Sequence, residues 1–117
     1  MKKIPVIDVA HFQDAGINNR LIIDFLKLYS AEIITLPEQF KALMLAKDYL
    51  GAEHLLHSFK GASDVVGAYR VAAITQKIEK LIQTDDQKFD PLLLVAEFKQ
   101  GIDATHVGVK KMIVALT

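Results

Sequence analysis

The 117-residue chain is 51% hydrophobic and 24% charged, which is enough apolar material for one core of single-domain size and too much for a disordered polymer. Lys plus Arg and Asp plus Glu balance at 14 each, so the basic footprint that dominates nucleic-acid affinity is absent. Cysteine is absent too, which excludes disulfides, thiol catalysis and thiolate metal sites together and fits a reducing compartment. Met1 to Phe12 begins with two basic residues but lacks the continuous apolar stretch of a signal peptide, and no segment approaches a membrane span. A cytoplasmic, single-domain protein over residues 1–117, binding neither nucleic acid nor membrane, is the expectation.

Helical periodicity runs through the chain and the helix breakers fall between the periodic segments. A short first helix is expected over Val9 to Ala15, with Asp8 as its N-cap and Gly16 ending it. Asn18 can cap a second helix, in which Leu21, Ile22, Phe25, Leu28 and Tyr29 recur at spacings of three and four. Pro37 lacks an amide donor and clashes one turn back, so a kink or break is expected near Ile34 to Leu36, with the helix resuming through Phe40, Leu43 and Met44. A third helix is expected from Asp48 to Val66, stopped by Gly67, and a fourth from Ala68 to about Gln83. Thr84, Asp85, Asp86, Gln87 and Lys88 read as a loop, and Asp90 followed by Pro91 reads as an N-cap with proline at the first helical position. The last helix carries Leu94, Val95, Phe98, Ile102, Val109, Met112, Ile113 and Leu116, with Gly101 and Gly108 as places where it could bend. Short connections make sequential helices neighbours, so the expected fold is all-α: an antiparallel up-and-down four-helix bundle with a short additional N-terminal helix.

Polar chemistry concentrates on the third helix. At about 100° per residue, Leu55, Phe59, Ala62 and Val66 share one face, and His57 lies some 140° to 200° from each of them, which places it in solvent. Lys60 and Gly61 stand three and four positions later and are therefore its neighbours on the next turn. A glycine inside a helix costs stability, so Gly61 beside an exposed imidazole suggests that a side chain there would obstruct something approaching the ring. A neutral imidazole is a nucleophile for phosphorus, and the Lys60 ammonium is a mobile charge suited to a phosphoryl dianion.

His57, Lys60, Gly61, Ser63, Gly67 and Ala68 together resemble the signature of the histidine-containing phosphotransfer (HPt) domain family. His-x-x-Lys-Gly alone arises by chance in roughly 2% of such chains, against the order of one in 10⁴ to 10⁵ for the extended pattern, so the extended pattern carries the resemblance. Phe25, the Leu36–Pro37 pair, Leu43 and Asp48 also resemble the family's preceding helical hairpin, extending the likeness over roughly residues 18 to 83; the last helix is similar only generically. Leu56, where the family commonly has alanine, and Asp64 depart from the pattern. Glu53 and Asp64 project near the His57 face, where carboxylates oppose a phosphoryl group unless Lys60 or solvent screens them.

The resemblance implies a phosphocarrier without kinase activity or an ATP site, in which His57 is the phosphoacceptor, Lys60 stabilises phosphate charge and Gly61 gives steric access. It implies receiver domains of response regulators and a hybrid histidine kinase as partners, no cofactor of its own, Mg²⁺ on the partner receiver, and a monomer. Two other readings compete: a helical adaptor that docks signalling partners without being phosphorylated, and a metal-binding bundle. Glu53, His54 and His57 match neither His-Glu-x-x-His nor Glu-x-x-His, so no metal is expected, and His11 and His106 read as isolated surface or capping residues.

Overall fold

In the computed structural model, which describes residues 4–84, 86 and 88–117, three of the six helices start at a capping side chain and two of the breaks fall at Pro37 and Gly67. Residues 1–3, which include the basic start, and Asp85 and Gln87 of the expected loop lie outside the described residues. The order is α1 (Ala10–Asp14), α2 (Asn19–Ile33), α3 (Leu36–Leu45), α4 (Tyr49–Val66), α5 (Tyr69–Ile82) and α6 (Pro91–Leu116). Asn18 caps α2 by accepting from Leu21 N–H, Asp48 caps α4 by accepting from Gly51 N–H, and Asp90 caps α6 by accepting from Leu92 and Leu93 N–H. Helix α1 is shorter than expected; Val9 takes the capping position, although Asp8 still accepts from Ala10 N–H at 2.9 Å.

Pro37 separates α2 from α3 as expected: its missing amide would have bonded the Ile33 carbonyl, and Ile33 is where α2 ends. Gly67 ends α4 at φ 83°, and Ala68 N–H reaches back to Ser63 O at 2.8 Å, which closes the helix and turns the chain straight into α5. This two-residue connection makes α4 and α5 an antiparallel hairpin, the most extensive helix pair in the fold. Helix α6 packs on α2, α3 and α5, so the broken α2–α3 arm, α4, α5 and α6 make the four arms of the bundle.

The buried side chains form one connected cluster. Its centre is aromatic: Phe98 of α6 lies 5.0 Å from Phe40 of α3 and 5.5 Å from Phe59 of α4 between ring centroids, and Phe59 stacks on Tyr29 of α2. Helix α6 remains helical through Gly101 and Gly108, and packing accounts for both glycines. A Cβ at Gly101 would touch Val71 and Ile74 of α5, and one at Gly108 would collide with Val6 of the N-terminal segment.

Two expected apolar stripes are rotated. In α2 the buried set is Ile22, Leu26, Tyr29 and Ile33, whereas Leu21 and Leu28 are exposed. In α4 it is Ala52, Leu56, Phe59, Ser63 and Val66; Leu55 is only half-buried and Ala62 is exposed. Helix α4 is clasped by α5 on one side and by α2 and α3 on the other, so its buried arc centres on a line that includes a serine. The hydroxyls of Ser63 and Tyr29 satisfy each other at 2.7 Å.

Burial pushes the Tyr29 phenol up from 10.0 to about 12, the Ser63 bond partly opposing the shift. The raised value means that Tyr29 contributes stability fully below the unfolded-state pKa of about 10, and that this contribution fades as pH rises towards 12. Tyr29→Phe leaves the fully buried Ser63 hydroxyl without this partner and is expected to cost about 1–3 kcal/mol at neutral pH. Denaturant melts on either side of pH 10 check both statements: the wild type should lose more stability across that window than the variant.

Candidate functional site

His57 sits midway along α4, on the side turned away from the core, with 81% of its side chain exposed. Leu56 before it is fully buried and Ser58 after it is exposed, so the backbone at this point is anchored while the imidazole stands free. The departure at Leu56 is therefore part of the core. It fixes the helix rotation that presents His57.

The ring is approached from α5. Glu79 Oε2 lies 3.4 Å from His57 Nδ1, and the Glu79 side chain is only 13% exposed. The contact is an ion-pair distance rather than a hydrogen bond; a carboxylate beside Nδ1 favours the neutral tautomer that carries its proton there and leaves the lone pair on Nε2. Sequence reasoning missed Glu79, and a signal existed for it. It is the only acidic residue of α5, and it lies twelve residues after Gly67 where His57 lies ten before, so a tight antiparallel hairpin brings the two to the same height.

Lys60 and Gly61 occupy the next turn, as the spacing required. Lys60 Nζ donates to Asp64 Oδ2 at 3.2 Å, so the carboxylate expected to oppose a phosphoryl group is neutralised by the cation expected to hold one. Gly61 is exposed, and a Cβ built on it would meet nothing within 4 Å. Among the described residues no packing explains this glycine, in contrast to Gly101 and Gly108. Glu53 and His54 line a shallow open cleft with His57, Ser58, Glu79 and Gln83. Among the described residues no group of three or more His, Cys, Asp or Glu side chains is placed to hold a metal ion.

His11 and His106 are not isolated. His11 Nε2 contacts Val65 O at 2.9 Å near the end of α4, and half-buried His106 bonds Ser30 Oγ through Nδ1 at 2.8 Å, tying α6 to α2. Both bonds cross between elements more than fifty residues apart in sequence, where short-range spacing gives no cue.

Beside the site, α2 and α4 form an apolar groove that includes Leu28, Tyr29, Leu55, Phe59, Ala62 and Val65; Leu28 and Val65 are exposed there. Among the described residues no helix is long and apolar enough to cross a membrane.

No curated protein and no solved structure gives a significant match to the chain. The family model for the Hpt domain matches residues 24–108, a span that begins in α2, contains all of α4 and α5 with His57 and Glu79, and ends within α6. The chain belongs to the Hpt domain family, whose role is histidine phosphotransfer in two-component phosphorelays through interaction with receiver domains.

Proposed function

We propose that this protein carries a phosphoryl group on His57, accepting it from the aspartyl phosphate of one receiver domain and passing it to the aspartate of another. The observation that carries this reading is the geometry of His57: an imidazole with 81% of its side chain exposed and a largely covered carboxylate 3.4 Å from Nδ1, within the family signature. The Nε2 lone pair attacks phosphorus in line with the aspartyl oxygen. The N–P bond forms as the P–O bond breaks, and the departing electron pair restores the receiver's carboxylate. The second transfer is the same reaction in reverse with a different receiver. Within this reading the chain acts as a single cytoplasmic module and monomer, fed through a hybrid histidine kinase. It needs no cofactor or ATP site of its own, and Mg²⁺ belongs to the acidic site of the partner receiver.

The exposed apolar residues of the α2–α4 groove, Leu28, Ala62 and Val65, supply a docking surface that continues to Ser58, next to His57. Docking there sets the reacting atoms in line, which is the larger part of what a carrier contributes to the rate. Incubation with a phosphorylated receiver tests the reading: label should pass to this chain as acid-labile, base-stable phosphate. A complex that forms without any transfer of label identifies an adaptor instead.

Gly61→Gln is expected to stabilise α4 by about 0.5–1 kcal/mol, through helix propensity, while slowing transfer, because the new side chain occupies the open approach one turn from the imidazole. A thermal melt and a transfer time course on the same preparation check the opposite signs. If the variant melts higher and transfers at the normal rate, access is not the reason for the glycine.

Lys60 stands where its ammonium can turn from Asp64 towards a phosphoryl group on His57. Lys60→Ala should therefore shift the equilibrium towards the phosphorylated receiver by about 0.5–1 kcal/mol, as befits an exposed and screened interaction. Asp64→Asn, which releases Lys60, should shift it the other way by a comparable amount. Equilibrium labelling of both variants against one receiver checks the signs, and both effects should shrink at high salt.

A further inference from the structure

The groove between α2 and α4 consists of two adjoining hollows of about 310 and 350 Å³. Phe25, Leu28 and Val65 line the first, Leu36, Leu55 and Phe59 line the second, and Tyr29, Glu32 and Ala62 line both. Glu32 is the one charged residue lining either hollow, and it stands where the two meet. Tyr29, the other polar residue at that junction, has its hydroxyl bonded to Ser63. The Glu32 carboxylate has no such partner. Among the described residues it enters no ion pair, and the one side-chain hydrogen bond at this residue runs from Thr35 Oγ1 to the main-chain oxygen. The side chain is exposed, so water solvates the charge while the groove is open.

A surface that closes over the groove displaces that water. A wholly apolar surface would leave the carboxylate desolvated and uncompensated, which opposes the gain from the apolar contacts on either side of it. A surface that brings a cation to the same place turns the charge into an ion pair in the middle of an apolar contact. One lone charge in such a setting therefore discriminates in both directions, favouring the matched partner and penalising the unmatched one.

We infer that Glu32 selects the partner: the receivers this protein serves carry a lysine or arginine within the apolar patch that docks on α2 and α4, and receivers without one are rejected. This inference rests on the reading that receivers dock in the groove. Glu32 acts on recognition and not on chemistry, since it lines no part of the cleft that holds His57. No cation of this chain lines the groove to satisfy Glu32 from within, and Lys60 is paired with Asp64.

The test follows binding by calorimetry and transfer of label in parallel, with receiver domains used both unphosphorylated and phosphorylated by acetyl phosphate. Against a receiver that the wild type uses well, Glu32→Gln should raise Kd and KM about three- to tenfold and Glu32→Lys by more than about tenfold, with the rate at saturating receiver unchanged. Against receivers that the wild type uses poorly, Glu32→Gln should lower KM by a similar factor. Glu38 is an exposed carboxylate on α3 outside both hollows, and Glu38→Gln should change neither constant. Single replacement of the receiver's surface lysines and arginines by glutamate should reveal one position that restores Glu32→Lys to within about threefold of the wild-type pair, a rescue that damage to packing would not allow. An unchanged Kd for Glu32→Lys, an equal loss with Glu38→Gln, or no rescuing position on the receiver would overturn the inference. Binding with this charge dependence but without transfer of label would count against the carrier reading and leave the role of Glu32 standing. Transfer that is indifferent to the charge at Glu32 would do the reverse.

Discussion

His57→Gln should fold and melt as the wild type does and should accept no phosphoryl group from any receiver. The side chain is 81% exposed and contributes almost nothing to the core, so the change belongs with surface substitutions worth within about ±0.5 kcal/mol. Its one charged contact, with Glu79 at 3.4 Å, is an ion-pair distance rather than a hydrogen bond, so little is lost with it. What disappears is the nucleophile: an amide nitrogen has no available lone pair for phosphorus. Lys60, Gly61 and the apolar groove remain, so receiver docking should persist while transfer is lost. Circular dichroism melts beside a phospho-receiver labelling assay make the comparison. Undiminished labelling of a folded variant would remove His57 from the mechanism.

Phe98→Ala should cost about 3–5 kcal/mol, the largest stability loss expected for a single truncation in this chain. Phe98 is fully buried on α6, and its ring meets Phe40 at 58° and Phe59 edge-on at 86°, with Phe59 stacked in turn on Tyr29. One side chain therefore joins α6 to α3 and α4 directly and to α2 through Phe59. Its removal forfeits transfer energy, leaves a cavity bounded by stiff rings that cannot easily collapse, and breaks two tilted aromatic pairs worth about 0.5–1.5 kcal/mol each. Against a total of roughly 5–15 kcal/mol for a domain of this kind, the midpoint should fall by about 10–25 °C. Phe89 is the control. It is only partly buried, and its sole ring partner is Tyr49, at 5.2 Å, so Phe89→Ala should cost markedly less. Similar losses for the two variants would show that the aromatic centre is not what holds the arms together.

The helices were legible because their ends are chemically marked. Asn18, Asp48 and Asp90 cap, Pro37 breaks and Gly67 turns, each through a local bond or its absence that depends on residues a few positions apart. The phase of α4 was less legible, because its buried line runs through Ser63, a polar residue that becomes core only when the Tyr29 hydroxyl, 34 residues earlier, arrives to satisfy it. Within the site, His57, Lys60 and Gly61 share one helix face, so their adjacency follows from helical geometry. Glu79 belongs to another helix. Its place behind the imidazole depends on the register of the α4–α5 hairpin, which is set at Gly67 rather than by any spacing around His57. The apolar groove was hidden for the same reason: Leu28 and Ala62 read as core by periodicity, and only the packing of α2 against α4 shows that they are left outside.

One histidine among four, His57, is expected to carry the phosphoryl group. The most direct measurement is tandem mass spectrometry of the intact wild-type protein after transfer from a phosphorylated receiver, with fragmentation under neutral or alkaline conditions that preserve phosphohistidine. The result expected is a single phosphate on His57, with His11, His54 and His106 unmodified. Phosphate on His54, one turn away in the same cleft, or on no histidine at all, would contradict the account.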